Sequence, residues 1–104
     1  MPDIRIEIPE KQIADFCKKW KVKEFALFGS VLREDFHEDS DVDVLLTHLP
    51  DAGWTLFDLV AMTEELSDLL GRKVQVLPRW GVERSKNHSL KKAILESAQV
   101  IHAA

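Results

Sequence analysis

Residues 27–46 read Leu27-Phe28-Gly29-Ser30-Val31-Leu32-Arg33-Glu34-Asp35-Phe36-His37-Glu38-Asp39-Ser40-Asp41-Val42-Asp43-Val44-Leu45-Leu46. Two apolar runs bracket a polar stretch. Alternate residues of a strand share a face, so Asp41 and Asp43 point one way and Val42 and Val44 the other. Their backbones lie about 7 Å apart at a rise of roughly 3.3 Å per residue, so both carboxylates can converge on one point or on neighbouring points. Left bare they repel, and Asp is a poor strand former. A hard divalent cation removes the repulsion, and magnesium keeps positions open for water and phosphates. At the other end, Gly29 closes a strand without a side chain, so a phosphate can approach its backbone. Ser30 can cap a following helix, whose N-terminus suits an anion, and Arg33 is within reach of the same phosphates.

Taken singly these pieces have plainer readings. Gly-Ser after a strand is usually a turn and a cap, and Asp-x-Asp can lie on the wet face of a strand. The joint spacing of Gly29-Ser30, ten residues, then Asp41-Val42-Asp43 is what sets the stretch apart.

Outward from it, residues 23–28 read as a buried strand and 30–36 as a short helix. Residues 3–8 alternate polar and apolar and read as extended. Pro9 pre-sets a helix over about 10–20, with Ile13, Phe16, Cys17 and Trp20 as its apolar stripe. A long helix is expected over 55–70, with Leu56, Leu59, Val60, Thr63, Leu66 and Leu70 on one face and Gly71 as its stop. A strand follows over 72–77, closed by Pro78. A last helix is expected over about 89–102, with Leu90, Ala93, Ile94, Ala98 and Ile101 inward. This order gives an α/β (α+β) domain, a small mixed β-sheet flanked by helices, with residues 1–104 as one domain.

The bulk properties agree. A chain of 104 residues with 45% hydrophobic residues has room for one modest core, worth about 5–10 kcal/mol of stability. Net charge is −4 and no run of Lys or Arg exceeds two, which argues against direct gripping of a nucleic-acid backbone. Cys17 is the single cysteine, so no internal disulfide forms, and a reducing, cytoplasmic setting is expected. No signal peptide and no membrane span are read. The histidines lack ligand-like spacing. Trp54 and Trp80 are read as loop residues that flap over the core, or else anchor an interface or stack on an adenine. Lys86, Lys91 and Lys92 are read as a solvated face. Strand edges or tryptophans leave a homodimer open.

The 27–46 stretch resembles the signature of the minimal nucleotidyltransferases, a branch of the DNA polymerase β-type nucleotidyltransferase superfamily. Gly29, Ser30, Asp41 and Asp43 match its motif, and Arg33 and Ser40 fall where the family usually has them. The likeness extends over nearly the whole chain, from the helix before the first strand through Glu64–Val74 to a closing helix. It implies a nucleotidyltransferase (polymerase β-like) core, ATP as donor and two Mg2+ ions held by Asp41 and Asp43. Gly29 and Ser30 would seat phosphates, with help from Arg33. It also implies a partner, since many relatives are antitoxins of a HEPN-domain toxin encoded beside them, and some transfer AMP to a tyrosine of that toxin.

One departure stands out. The family's third Asp is replaced by Gln75, whose amide accepts a hydrogen bond but takes no proton at neutral pH. Loss of a general base costs about 10²–10⁴ in rate. Glu83 and Asp39 are the candidate stand-ins for the acid, although neither is at the expected position. Three readings follow: an enzyme that adenylylates its toxin, a contact antitoxin with a relic nucleotide site, and, least favoured at this length, a transferase for a small molecule. The chain has no tyrosine, so a tyrosine acceptor must come from another protein.

Overall fold

The computed structural model describes residues 8–29 and 40–103. Helix α1 spans Glu10–Trp20 and strand β1 Val22–Phe28. Strand β2 spans Val42–His48 and helix α2 Leu56–Leu70. Strand β3 (Val74–Pro78), helix α3 (Arg79–Glu83), helix α4 (His88–Ser97) and strand β4 (Gln99–Ala103) complete the order. The expected extended segment at 3–7 and short helix at 30–36 lie outside the described residues.

The four strands form one mixed sheet in the order β3-β2-β1-β4. β1 pairs antiparallel with β2 and β4, and β2 pairs parallel with β3. The unbroken apolar run Phe25-Ala26-Leu27-Phe28 is explained by cover on both faces. Phe25 and Leu27 join Val42, Val44 and Leu46 under α1 and α2. Ala26 and Phe28 join Leu45 on the other face, under Val82 of α3 and Ile94 of α4.

Helix α1 follows its expected bounds. Ile13, Phe16 and Cys17 are buried, and Lys21 ends the helix in the left-handed conformation at φ 57°. Burial pushes the Cys17 thiol up to about 12, so it is a core residue and not a nucleophile. The Trp20 indole donates to Glu65 at 2.5 Å and Lys19 to the same carboxylate at 3.0 Å, tying α1 to α2.

Helix α2 starts at a capping box in which Thr55 and Asp58 exchange hydrogen bonds. Thr55→Ala removes that cap. Chemical denaturation of the variant should show a loss of about 0.5–2 kcal/mol with unchanged slope.

Two expectations are corrected here. The inward face of α2 is rotated from the expected one: Leu66 is buried and Leu59 and Leu70 pack on the core as expected, but Met62 is buried in place of Leu56 and Val60, which are 78% and 58% exposed. α2 is apolar nearly all round, so more than one stripe fits its spacing. The closing helix ends at Ser97, not near 102. Ala98 turns extended at ψ 134°, and the β-branched Val100 and Ile101 enter β4 against β1. Of the expected inward residues, Ile94 is buried, Leu90 is 53% exposed, and Ile101 packs on the core from the strand.

Trp54 packs on the core from the loop, donating to the Trp20 carbonyl at 2.7 Å. Trp80, read as a loop residue, lies in α3 and is 39% exposed, beneath the Arg84 guanidinium.

Candidate active site

On β2, Val42, Val44 and Leu46 face α1 and α2. Asp43 therefore shares its face with Leu45, toward α3 and α4. Its cross-strand neighbours are Phe28 of β1 and Gln75 of β3. The sheet thus brings the last residue of β1, the acid of β2 and the Gln of β3 into one row. Helix α4 covers this row incompletely. A cavity of about 440 Å³ remains, lined among others by Gly29, Asp43, Gln75, Leu77 and Ile94.

Gly29 is held at φ +76°, and a Cβ there would run into the Oδ2 of Asp43. Both facts demand glycine. The sequence reading gave Gly29 a role toward phosphate; the structure adds that it makes room for the Asp43 carboxylate. Gly29→Ala should cost about 1–2 kcal/mol from the left-handed backbone alone and displace the carboxylate. A thermal melt should show the loss, and Gly29→Ala should behave worse than Asp43→Ala because only the former keeps the clash.

Asp41 immediately precedes β2 and is half-buried, two residues ahead of Asp43. The β2–β3 pairing begins beside it, with the Val42 amide donating to the Lys73 carbonyl at 3.0 Å. Asp41 does not line the cavity that holds Asp43 and Gln75. Ser30, Arg33 and Asp39 lie outside the described residues. Glu83 is not a replacement acid: it is exposed on α3, 3.6 Å from the Arg79 guanidinium, and absent from the cavity wall.

The donor set suits a hard divalent ion. It comprises two carboxylates two residues apart, one of them nested against a backbone with no Cβ, and an amide oxygen on the next strand. Among the described residues no cluster of three or more acidic, His or Cys side chains forms. A magnesium ion held by these groups would complete its shell with water and phosphate.

Fold and site together define a nucleotidyltransferase core. The family model described as "Nucleotidyltransferase domain" matches residues 9–101, and the chain belongs to that family. It is 37% identical over 90 residues to "Putative protein adenylyltransferase MJ1217" of Methanocaldococcus jannaschii, covering 86% of this chain and 87% of that protein. A solved structure described as "Structure of putative minimal nucleotidyltransferase" superposes with a TM-score of 0.67 at 28% identity, covering 86% of each chain. A chain of the complex between the tri-AMPylated HEPN toxin of Shewanella oneidensis and its MNT antitoxin superposes at 0.62 and 16% identity, covering 91% of this chain and 70% of that one. This last likeness is one of fold. No helix among the described residues is long and apolar enough to cross a membrane.

Proposed function

We propose that the protein is a Mg-ATP-dependent adenylyltransferase that silences a HEPN-domain toxin by transferring AMP from ATP to one of its hydroxyl side chains, with pyrophosphate as the leaving group. The observation that carries this reading is the meeting of Gly29, Asp43 and Gln75 on the wall of one cavity, within a sequence 37% identical to a protein named as an adenylyltransferase.

Asp41 and Asp43 would hold the magnesium. Bound there, the metal supplies charge neutralisation for the phosphates of the nucleotide. Gly29 keeps the Asp43 carboxylate in place by leaving its space free. Ser30 and Arg33 are proposed to seat the phosphates. Gln75 is opposite Asp43 in the pairing register. Its amide can hydrogen-bond an acceptor hydroxyl and so orient it, but the acceptor's proton must leave to another base, water included. A cytosolic setting fits an ATP-dependent reaction and the free Cys17 thiol.

Restoring the acid tests the role of Gln75. Gln75→Asp should raise the rate of AMP transfer by about 10²-fold, measured as label transferred from ATP to the toxin under single-turnover conditions. An unchanged rate would mean that the position does not limit proton removal.

Gln75 also favours a second reading, an antitoxin that works by contact and keeps a relic nucleotide site. Neutralisation of the toxin by an Asp41→Asn/Asp43→Asn double variant separates the two. The enzyme loses neutralisation while still forming the complex; the contact antitoxin retains both.

A further inference from the structure

Helix α2 turns large apolar side chains to solvent as well as to the core. Leu56, Phe57 and Val60 are 78%, 86% and 58% exposed. Leu56, Val60, Glu64 and Asp68 follow one another at four-residue spacing, and Phe57 and Ala61 lie alongside, so all six share one face of the helix. All six are exposed. The first two turns of that face are apolar and the later ones acidic. A contiguous apolar patch bordered by charge marks a contact surface on a folded domain.

This face lies away from the candidate active site. Met62 and Leu66 seat α2 on the side of the sheet that carries Val42 and Val44, whereas Asp43 points to the other side. The helix also begins at the opposite end of the sheet. Trp54, just ahead of α2, donates to the carbonyl of Trp20, close to the start of β1, and Val22 there pairs with His48 at the end of β2. Asp43 and Gln75 lie at the start of β2 and β3.

Charge decides what can cover the face. Leu56–Leu70 contains no Lys or Arg. Glu65 is held by Lys19 and Trp20, and Asp58 by the cap, which leaves Glu64 and Asp68 facing outward. Two copies packed α2 to α2 in parallel would set Glu64 against Glu64. Packed antiparallel about Val60, they would set each Glu64 against the other copy's Leu56. Either arrangement covers carboxylates with no cation of the helix to pair with them. On a chain of net charge −4, this pattern complements an apolar surface flanked by Lys or Arg.

We propose that the exposed face of α2 grips a partner protein that presents an apolar surface with Lys or Arg beside it. Leu56, Phe57 and Val60 supply the anchor, and Glu64 and Asp68 the charges that orient it. That this partner is also the protein to be modified rests on the adenylyltransferase reading; the docking face does not. Docking and chemistry then use opposite sides of the sheet.

The probe is the protein encoded by the adjacent gene, and calorimetry reads its affinity for this chain. Two double variants leave the core and Asp43 untouched. Phe57→Ser with Val60→Ser removes exposed apolar groups, and Glu64→Lys with Asp68→Lys puts cations in the later turns of α2, where they favour the helix dipole. The first should weaken binding about ten- to hundred-fold. The second should weaken it about five- to ten-fold at low salt, and less as salt rises. Thermal melts and the affinity for AMP-PNP with magnesium should match those of the unaltered protein in both. Unchanged binding in either variant overturns the proposal, as does absence of binding by the unaltered protein. Loss of AMP-PNP affinity overturns the separation of docking from the site. A dimer in sedimentation that Phe57→Ser/Val60→Ser dissociates also overturns it, and makes the face a contact between copies. Failure of the adenylyltransferase reading shows separately: the unaltered protein binds, the variants bind weakly, and no AMP is transferred.

Discussion

Asp43→Asn should lower AMP transfer by about 10²–10⁴-fold while leaving the fold intact. The carboxylate sits at the centre of the row, between Phe28 and Gln75 in the pairing register and against Gly29. The substitution keeps shape and volume but removes the charge proposed to hold a divalent cation. The expected loss corresponds to several kcal/mol of transition-state charge stabilisation. Asp43 is only half-buried, so a thermal melt should move little. Rate and melt must be read on the same sample. A large drop in both would point to a structural role for Asp43, and an unchanged rate would remove it from the active site.

Phe25→Ala should cost about 3–5 kcal/mol of stability, a large share of what a domain of this size holds. Phe25 is fully buried on the central strand β1, and its ring meets Phe16 of α1 edge to face at 6.2 Å and 89°. Truncation removes the apolar burial, leaves a cavity beneath α1, and breaks the aromatic pair, itself worth about 0.5–1.5 kcal/mol. Urea unfolding followed by tryptophan fluorescence should show the midpoint falling with the slope preserved. Phe25→Leu should lose much less, since it keeps most of the volume. Equal losses for the two would mean that the ring geometry, not the filled volume, dominates.

Much of the fold was legible because its signals are local. Pro9 and the three- and four-residue apolar spacing marked α1. The run at 25–28 marked a strand with both faces covered, and Gly71 marked the end of α2 in the left-handed conformation it takes, φ +65°. The Asp-x-Asp alternation put Asp43 on the face opposite Val42 and Val44, and the family resemblance singled out Gln75, which the β2–β3 register sets beside it. What escaped was settled by tertiary packing. The segment 89–102 has helical spacing throughout and no Gly or Pro to break it. Only pairing with β1 turns Gln99–Ala103 into a strand. α2 has apolar residues on several faces, and only the sheet beneath it chooses Met62 over Leu56 and Val60 beside the expected Leu66. Helix α3 is too short to show a period. The second reason for Gly29, the nearness of Asp43, depends on β1 and β2 meeting across fourteen residues of sequence and has no local signal.

The central claim is transfer of AMP to a partner protein, and intact mass reads it most directly. The candidate toxin, the protein encoded by the adjacent gene, is purified, incubated with this protein, ATP and magnesium, then weighed. The expected result is a toxin heavier by one or more AMP groups, with no addition when the Asp41→Asn/Asp43→Asn variant replaces the unaltered protein. A stable complex with no added mass would contradict the account and leave a protein that neutralises its partner by contact alone.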